Sequence, residues 1–232
     1  MMTLYNEFLY KPLFNIAVFL YNIIPGHDFG MAIIVLTVLV RIAFFPLTRK
    51  TLRSQKAMSE LAPKIQEIKE KFKDDKSAQS AATMRLYKEN TINPLAGCLP
   101  LIIQIPILIA LYKVFMSISL FKPESVGLLY GFIENPGIIN KMFLGFLDIT
   151  VKNPVLAILS GALQFLQARE TAIQNKTASG NKQMAALNSQ MLYFFPVMII
   201  IIGWNLPAGL MLYWTTATAF SIAEQKYIKY KK

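Results

Sequence analysis

Arg41 is a charged residue inside an otherwise uncharged, strongly apolar stretch at residues 29–48. Such a stretch predicts a membrane-spanning helix, in which a central arginine costs at least about 2.5 kcal/mol on insertion scales. The apolar stretches offer it no acidic partner apart from edge residues such as Glu170 and Glu224. Helical side chains lean toward the N-terminal end, predicted to face outside, so Arg41 is badly placed to reach the cytoplasm. We expect a water-containing cavity open to the cytoplasm; an arginine bound to backbone carbonyls is the alternative.

Polar side chains in the other apolar stretches could line this cavity. Thr37 lies one helical turn before Arg41, and the remaining candidates are Gln104, Tyr112, Gln164, Gln167, Asn188, Gln190, Thr215, Thr216 and Ser221. Gln104 has a second interpretation, since polar side chains often join membrane helices by hydrogen bonds. Trp204, Tyr213 and Trp214 are typical of interfacial anchors or helix packing.

Motifs for catalysis and metal binding are missing from the sequence. It contains no glycine loop for phosphate and no HExxH motif. The single cysteine, Cys98, excludes an internal disulfide and a multi-cysteine metal site. His27 is the single histidine, and Asp148 has no second intramembrane aspartate. We therefore expect a protein that is not an enzyme and needs no cofactor.

The composition indicates that lipid surrounds the apolar stretches. Hydrophobic residues make up 54% of the chain and charged residues 16%, whereas soluble domains carry about 25% charged residues. The uncharged stretch 188–223 exceeds the roughly 20 residues of one spanning helix, and the turn-forming sequence WNLPAG at 204–209 divides it. We predict an all-α membrane protein with five transmembrane helices, at residues 28–48, 93–118, 153–170, 188–204 and 207–225.

The N-terminal segment, residues 1–27, is predicted to be an amphipathic helix that lies in the membrane interface. Helical spacing separates a polar face with Glu7, Lys11, Asn15 and Asn22 from an apolar face with Phe8, Leu13, Phe14, Ala17 and Val18. Pro12 should kink this helix or mark its start, and Pro25 with Gly26 should end it. A short additional span is the alternative.

The distribution of charge predicts the orientation in the membrane. The net charge is +11, and its basic excess lies in segments 49–92, 171–187 and 226–232, while segment 119–152 is balanced. Because basic loops stay in the cytoplasm, we expect an N-terminus outside, an extracytoplasmic loop at 119–152 and a C-terminus in the cytoplasm. Basic segments beside a membrane favour anionic lipid over sequence-specific nucleic acid. No targeting peptide is recognisable, which favours a bacterial plasma membrane.

Segment 49–92 predicts a cytoplasmic helical hairpin. Leu61, Ile65, Ile68 and Phe72 recur at coiled-coil spacing in its first half. The sequence DDKS at 74–77 is typical of a turn and a helix start. A second helix would then present Ala78, Ala81, Met84 and Tyr87 to the first.

Several sequence motifs, taken in order, resemble the YidC/Oxa/Alb family of membrane protein insertases. The most specific is NPLAGCLPLIIQIP at residues 93–106. The others are DFG at 28–30, VR at 40–41, FPLT at 45–48, LAPKI at 61–65, KDDK at 73–76, FP at 195–196, and LPAGL at 206–210 followed by Tyr213. The resemblance covers the chain from about residue 12. Each motif alone is weak, and the resemblance is strong because the motifs occur together in this order.

This resemblance implies a five-helix core with a hydrophilic groove that is open to the cytoplasm and lipid but closed outside. Arg41 matches the groove arginine of the family, and Thr37, Gln104, Tyr213 and Trp214 match residues around it. Position 214 is often tyrosine in the family. The resemblance implies client membrane proteins and the lipid bilayer as partners, with the ribosome, targeting factors and the Sec translocon as further candidates.

We accordingly expect a membrane protein insertase and chaperone of a bacterial plasma membrane that works without nucleotide hydrolysis. Arg41 would attract acidic residues in the polar outer segment of a client, while the client's apolar helix enters lipid. Two alternatives remain. One is a small transporter or channel with an intramembrane anion site at Arg41, although no internal repeat is recognisable. The other is a scaffold that only assembles other membrane proteins.

Overall fold

The computed structural model describes residues 2–92, 99–119, 127–174 and 190–230, and these form helices and one small β-hairpin. The helices are α1 (Met2–Tyr5), α2 (Lys11–Ile23), α3 (Phe29–Glu60), α4 (Ala62–Lys71), α5 (Lys76–Glu89), α6 (Leu99–Ser119), α7 (Pro154–Gln174), α8 (Phe195–Gly203) and α9 (Ala208–Tyr230). π-Helical turns at Asn6–Tyr10 and Gln190–Phe194 precede α2 and α8. The antiparallel strands are β1 (Met142–Phe143) and β2 (Leu147–Asp148).

Helix α3 extends beyond the predicted end of the first span at Thr48. It begins at Asp28, whose carboxylate accepts a hydrogen bond from the Met31 backbone NH at 3.0 Å, and it continues to Glu60. Residues 49–60 contain neither glycine nor proline, so nothing in the sequence stops the helix at the expected membrane border. The arm of the hairpin is therefore a direct extension of the helix that carries Arg41.

Length and hydropathy distinguish α3 from the other helices. Among the described residues, α3 alone is long and apolar enough to cross a bilayer by these two criteria. Two shorter apolar helical stretches, Gln104–Ile118 and Leu192–Gly203, fall below the length criterion. The all-helical class is confirmed, while the count of five transmembrane helices stays a prediction.

The core lies where α2, the N-terminal half of α3, α6 and the start of α9 meet. Phe14, Leu36, Ile118 and Met211, one from each helix, are almost completely buried. The rings of Phe29 and Phe115 stack with their centroids 6.3 Å apart. This apolar packing occupies one end of the helix cluster and leaves the polar parts of α3 and α9 beyond it.

The N-terminal segment is helical from Met2 to Ile23, with the π-helical turn at Asn6–Tyr10 directly before α2. Pro12, in the first turn of α2, therefore marks a change of helix type and does not start the helix. The helix ends at Ile23, before Gly26 adopts a φ of 80°, as Pro25 and Gly26 predicted. Asn15 on the predicted polar face is 1% exposed, whereas Phe8 on the predicted apolar face is 77% exposed. Interfacial placement of this segment stays a prediction.

Hydrogen bonds explain why Asn15 points inward. Its amide nitrogen donates to the carbonyls of Lys11 at 2.8 Å and Leu128 at 2.9 Å, and its oxygen accepts from the Tyr130 backbone NH at 2.7 Å. Asn22 on the same helix donates to the Glu134 carbonyl at 2.8 Å. The polar face of α2 therefore binds the backbone of the loop before β1, and buried polar groups find partners.

The β-hairpin packs against the start of α3. Asp28 contributes here too, since its second carboxylate oxygen accepts from the Leu144 backbone NH at 2.7 Å. The ring of Phe143 lies so close to Gly30 that a Cβ at that position would be 2.4 Å from it. Glycine is required at position 30 by this close approach.

The turn between α8 and α9 confirms the predicted break in stretch 188–223. Helix α8 ends at Gly203 and α9 begins at Ala208. The backbone NH groups of Ala208 and Gly209 donate to the carbonyls of Val151 and Ile149 at 2.7 and 2.8 Å. These bonds satisfy free NH groups at the start of α9 and attach it to the segment before α7.

Helices α4 and α5 form the expected hairpin, with one difference in its seam. Asp75 caps α5 by accepting from the Ala78 backbone NH at 2.9 Å. Ile65 is buried as expected, but Ala81 and Met84 are exposed. Helix α5 is rich in alanine and small polar residues, which define no strong apolar face, so its spacing did not predict its orientation.

We predict that Asn15→Ala lowers the free energy of unfolding by about 2–5 kcal/mol. The reason is that the Leu128 carbonyl and the Tyr130 NH would each lose a buried partner, at about 1–3 kcal/mol apiece. Chemical unfolding in detergent micelles measures the loss. Asn22→Ala is the matched control on the same helix; with one exposed bond, it should cost less than about 1 kcal/mol. Equal losses in both variants would contradict the structural role of Asn15.

The hydrogen bonds of Asp148 predict that the stability of the fold depends on pH. The Thr150 hydroxyl and backbone NH donate to its carboxylate at 2.7 and 2.8 Å and hold the pKa of Asp148 below its usual value of 3.8. A depressed pKa stabilises the fold above the unfolded-state pKa, and this contribution is lost as the pH falls through the folded-state pKa. The unfolding midpoint of the wild type should therefore fall more steeply than that of Asp148→Asn below about pH 4. Parallel curves would contradict this assignment.

Candidate functional site

An open cleft lies beside the middle of α3. Helix α3 forms one wall, α6 contributes Gln104 and Ile107, and α9 contributes Tyr213. The lining residues on α3 are Thr37, Val40, Arg41, Phe44, Leu47, Thr48 and Thr51. Their spacing of three and four residues places them along one face of a continuous helix.

Arg41 lies in this cleft as a partly exposed cation. Within the described parts of the chain, its guanidinium makes no hydrogen bond and no salt bridge. The alternative of an arginine bound to backbone carbonyls therefore has no support from these residues. A guanidinium carries five donors in a fixed fork, so the cleft presents an unused site for a carboxylate or another anion.

The closed end of the cleft is formed by residues from three helices. Thr37 is buried, and its hydroxyl donates to the Ile33 carbonyl at 2.6 Å. Gln104 donates its side-chain NH to the Tyr213 hydroxyl, which joins α6 to α9. The apolar core around Phe29 and Leu36 lies beyond this bond. Phe44, midway along the α3 wall, is exposed, and Thr51 at the far end is buried. The cleft therefore ends in packed apolar residues on the side where α3 begins.

Most of the other predicted cavity residues belong to a polar seam between α7 and α9. The seam consists of three bonds: Ser160 to Thr215 at 2.8 Å, Gln167 to Ser221 at 2.7 Å, and Trp214 to Gln164 at 3.3 Å. These side chains satisfy one another, as polar residues between membrane helices usually do. The expectation that Gln164, Gln167, Thr215 and Ser221 line the cavity of Arg41 is therefore wrong.

Trp214 is separated from the cleft by the geometry of its helix. Adjacent residues on an α-helix point about 100° apart. Tyr213 faces α3 and α6, and Trp214 therefore faces α7. Four of the five predicted groove residues, Arg41, Thr37, Gln104 and Tyr213, come together, and Trp214 does not join them. A role for Trp214 in client contact stays a prediction.

The remaining candidates lie outside the cleft lining as well. Tyr112 and Gln190 are exposed, and the Thr216 hydroxyl donates to the Leu212 carbonyl at 2.8 Å. Asn188 lies outside the described residues. Among the residues that the structure describes, no three histidine, cysteine or acidic side chains are grouped as a metal site would require.

Two features of the site were missed by sequence reasoning. The first is the continuation of the cleft along α3 through Phe44, Leu47 and Thr51, although the helical spacing from Thr37 could have indicated it. The second is Glu224, which appeared to be an edge residue. It is 4% exposed, on a helix that packs against α3. No local pattern predicted its burial, because the burial depends on how α9 packs.

Comparison with known proteins identifies the family. Residues 19–232 match the family model described as 60Kd inner membrane protein. A membrane protein insertase YidC from Fusobacterium nucleatum is 34% identical over 231 residues, which cover 97% of this chain and 98% of that protein. The chain belongs to the YidC family. The resemblance seen in the ordered motifs is thereby confirmed.

Other YidC relatives are longer than this chain. Membrane protein insertase YidC from Geotalea daltonii is 37% identical over 223 residues, covering 95% of this chain and 37% of that protein. The chain thus spans little more than a third of that relative. A crystal structure of an active YidC insertase with its first transmembrane domain resolved has a TM-score of 0.63 and 27% identity, covering 94% of this chain and 45% of that one.

Residues of the polar seam join two helices, whereas residues of the cleft lining do not, and this difference should appear in the free energy of unfolding. Ser160 is completely buried and bonds both Thr215 and the Met211 carbonyl. We predict that Ser160→Ala lowers the free energy of unfolding by about 1–2 kcal/mol. Thr48→Val, a variant in the cleft lining, should change it by less than about 0.5 kcal/mol because Thr48 bonds only its own helix at an exposed site. Unfolding in detergent compares the two, and an equal cost would contradict the distinction.

Proposed function

We propose that this chain is a membrane protein insertase and chaperone whose substrate groove is the cleft around Arg41. The observation that supports this most directly is a guanidinium without a salt bridge or hydrogen bond among the described residues, in a cleft that is closed at one end by apolar packing. An acidic residue in the short outer segment of a client would bind there without a competing partner in the cleft lining. Attraction between unit charges is stronger at such partly buried sites than in bulk water.

The proposed topology has five spans, formed by α3, α6, α7, α8 with its preceding π-helical turn, and α9. The N-terminus would lie outside and the C-terminus in the cytoplasm, so the β-hairpin would cap the outer side and α4–α5 would project into the cytoplasm. The apolar core would then seal the outer end, and the end of the cleft at Thr51 would face the cytoplasm. This arrangement suits a client that enters from the cytoplasm.

Lipid supplies the driving force in this proposal. Burial of a client's apolar helix in the bilayer is favourable, so transfer of its short polar segment needs no nucleotide. The predicted fourth span, residues 188–204, would be roughly 25 Å long at 1.5 Å per residue, short of the about 30 Å hydrocarbon core. A short span thins the bilayer locally and lowers the barrier for a polar segment. Client membrane proteins and lipid are the proposed partners, with the ribosome, targeting factors and the Sec translocon as additional ones for the basic hairpin.

We predict that Arg41→Ala reduces insertion of an acidic client at least about threefold, while Arg41→Lys retains it because a point charge can replace the guanidinium. The client has one apolar span and aspartates in its outer segment. The assay measures its protease protection after addition to proteoliposomes that contain the purified protein alone. Thermal unfolding first checks that all three proteins fold.

The controls separate the alternatives. Protein-free liposomes give spontaneous insertion, and a client with a neutral outer segment shows whether Arg41 acts through charge. Equal insertion by all three proteins would make Arg41 structural. No insertion by any of them would favour a chaperone that only assembles clients. Anion flux through the same liposomes would favour a transporter or channel.

A further inference from the structure

Glu224 is a buried carboxylate that neither the family assignment nor the proposed mechanism explains. It lies near the C-terminal end of α9 and is 4% exposed. Neither of its carboxylate oxygens has a hydrogen-bond partner within the described parts of the chain. Buried carboxylates are usually paired, because an unpaired one loses its hydration without compensation.

The register of α3 against α9 places Glu224 toward Arg41. The two helices run side by side in the same direction: Tyr213 reaches the cleft at the level of Thr37, and the Tyr227 ring lies 6.0 Å from the Phe45 ring. Arg41 lies between these two contacts on α3. Glu224 follows Tyr213 by eleven residues, or three helical turns, so it shares the face that looks toward α3.

The charges of the two helices agree with this placement. Arg41 is the charged residue of α3 between Thr37 and Phe45. The two side chains do not form a direct salt bridge. The α7 side chains that form hydrogen bonds with α9 are neutral: Ser160, Gln164 and Gln167. Glu224 and Arg41 are thus opposite charges on facing helices without a direct ion pair.

We infer that Glu224 is the internal counter-charge of Arg41 and determines which outer-segment charges the cleft accepts. This inference rests on the proposed insertase function. The carboxylate cancels part of the positive potential at Arg41, so a neutral or weakly acidic segment is held loosely and released. A segment with several acidic residues outcompetes Glu224 for the guanidinium. Because the pair is separated, the guanidinium keeps its donors free for the client.

The experiment uses the full chain and clients that share one apolar span but carry zero, one or three aspartates in the outer segment. We expect Glu224→Gln to increase insertion of the one-aspartate client about threefold to tenfold, because the full charge of Arg41 then acts on it. Insertion of the client without aspartate should change by less than about twofold. Glu224→Asp keeps the charge and should behave as the wild type.

A matched control changes the net charge without touching the cleft. Glu67 is an exposed acidic residue on α4, and Glu67→Gln alters the charge of the protein by the same amount as Glu224→Gln. It should leave the response to client charge unchanged. If Glu67→Gln produced the same gain, general attraction between the protein surface and the client would replace the proposed role of Glu224.

A double mutant tests the pairing itself. In Arg41→Ala there is no guanidinium for Glu224 to offset, so adding Glu224→Gln should change insertion of the one-aspartate client by less than about twofold. Coupled residues give such non-additive effects, whereas independent sites give additive ones. A threefold to tenfold gain from Glu224→Gln in both backgrounds would overturn the inference.

A binding measurement separates this inference from the proposed function. The outer segments, as labelled peptides with zero, one or three aspartates, are titrated onto the protein in nanodiscs. Glu224→Gln should lower the Kd of the one-aspartate peptide about threefold to tenfold. If no client inserts but this change in Kd occurs, the insertase proposal fails and the charge pair stands. If clients insert but Glu224→Gln matches the wild type in both assays, the role of Glu224 is overturned.

Discussion

An arginine within an apolar helix must be hydrated, paired with an anion or placed in a binding site. The arrangement of the neighbouring helices follows from this requirement. Arg41 cannot contact lipid at mid-span without a large desolvation cost. The structure meets the requirement with a cleft that α3, α6 and α9 enclose. It also places Glu224 of α9 on the side toward α3, without a direct salt bridge to Arg41. In the proposed function, the cleft gives the cation a tolerable environment and leaves its donors available to an anion.

The other helices contribute by closing one end of this cleft. The Gln104–Tyr213 bond and the core around Phe29 fill the space where α3 begins. Asp28 ties the β-hairpin to the same end, and Asn15 ties α2 to the loop before it. The polar seam between α7 and α9 fixes the rotation of α9. That rotation directs Tyr213 and Glu224 toward α3 and Trp214 away from it.

Helix α9 thus presents two different polar faces, one toward α3 and one toward α7. The sequence analysis did not distinguish these faces, so it assigned residues of the α7 face to the cavity of Arg41. Thr215 and Ser221 are as polar as the residues of the cleft, yet they bond α7. Whether a polar residue lines water or joins two helices depends on what the neighbouring helix offers. Gln164 and Gln167 supply partners for one face of α9, while α3 supplies Arg41 for the other.

Local sequence patterns were enough to predict the helical class, the break at residues 204–207, the end of α2 before Gly26 and the family. These follow from local propensity, turn-forming residues and ordered motifs, which act within a few residues. The same patterns indicated Arg41, because one charge in an apolar stretch is conspicuous. The burial of Asn15 and Glu224 and the separation of Tyr213 from Trp214 arise from tertiary packing. Those depend on helix rotation and on partners more than fifty residues away, which no local pattern encodes.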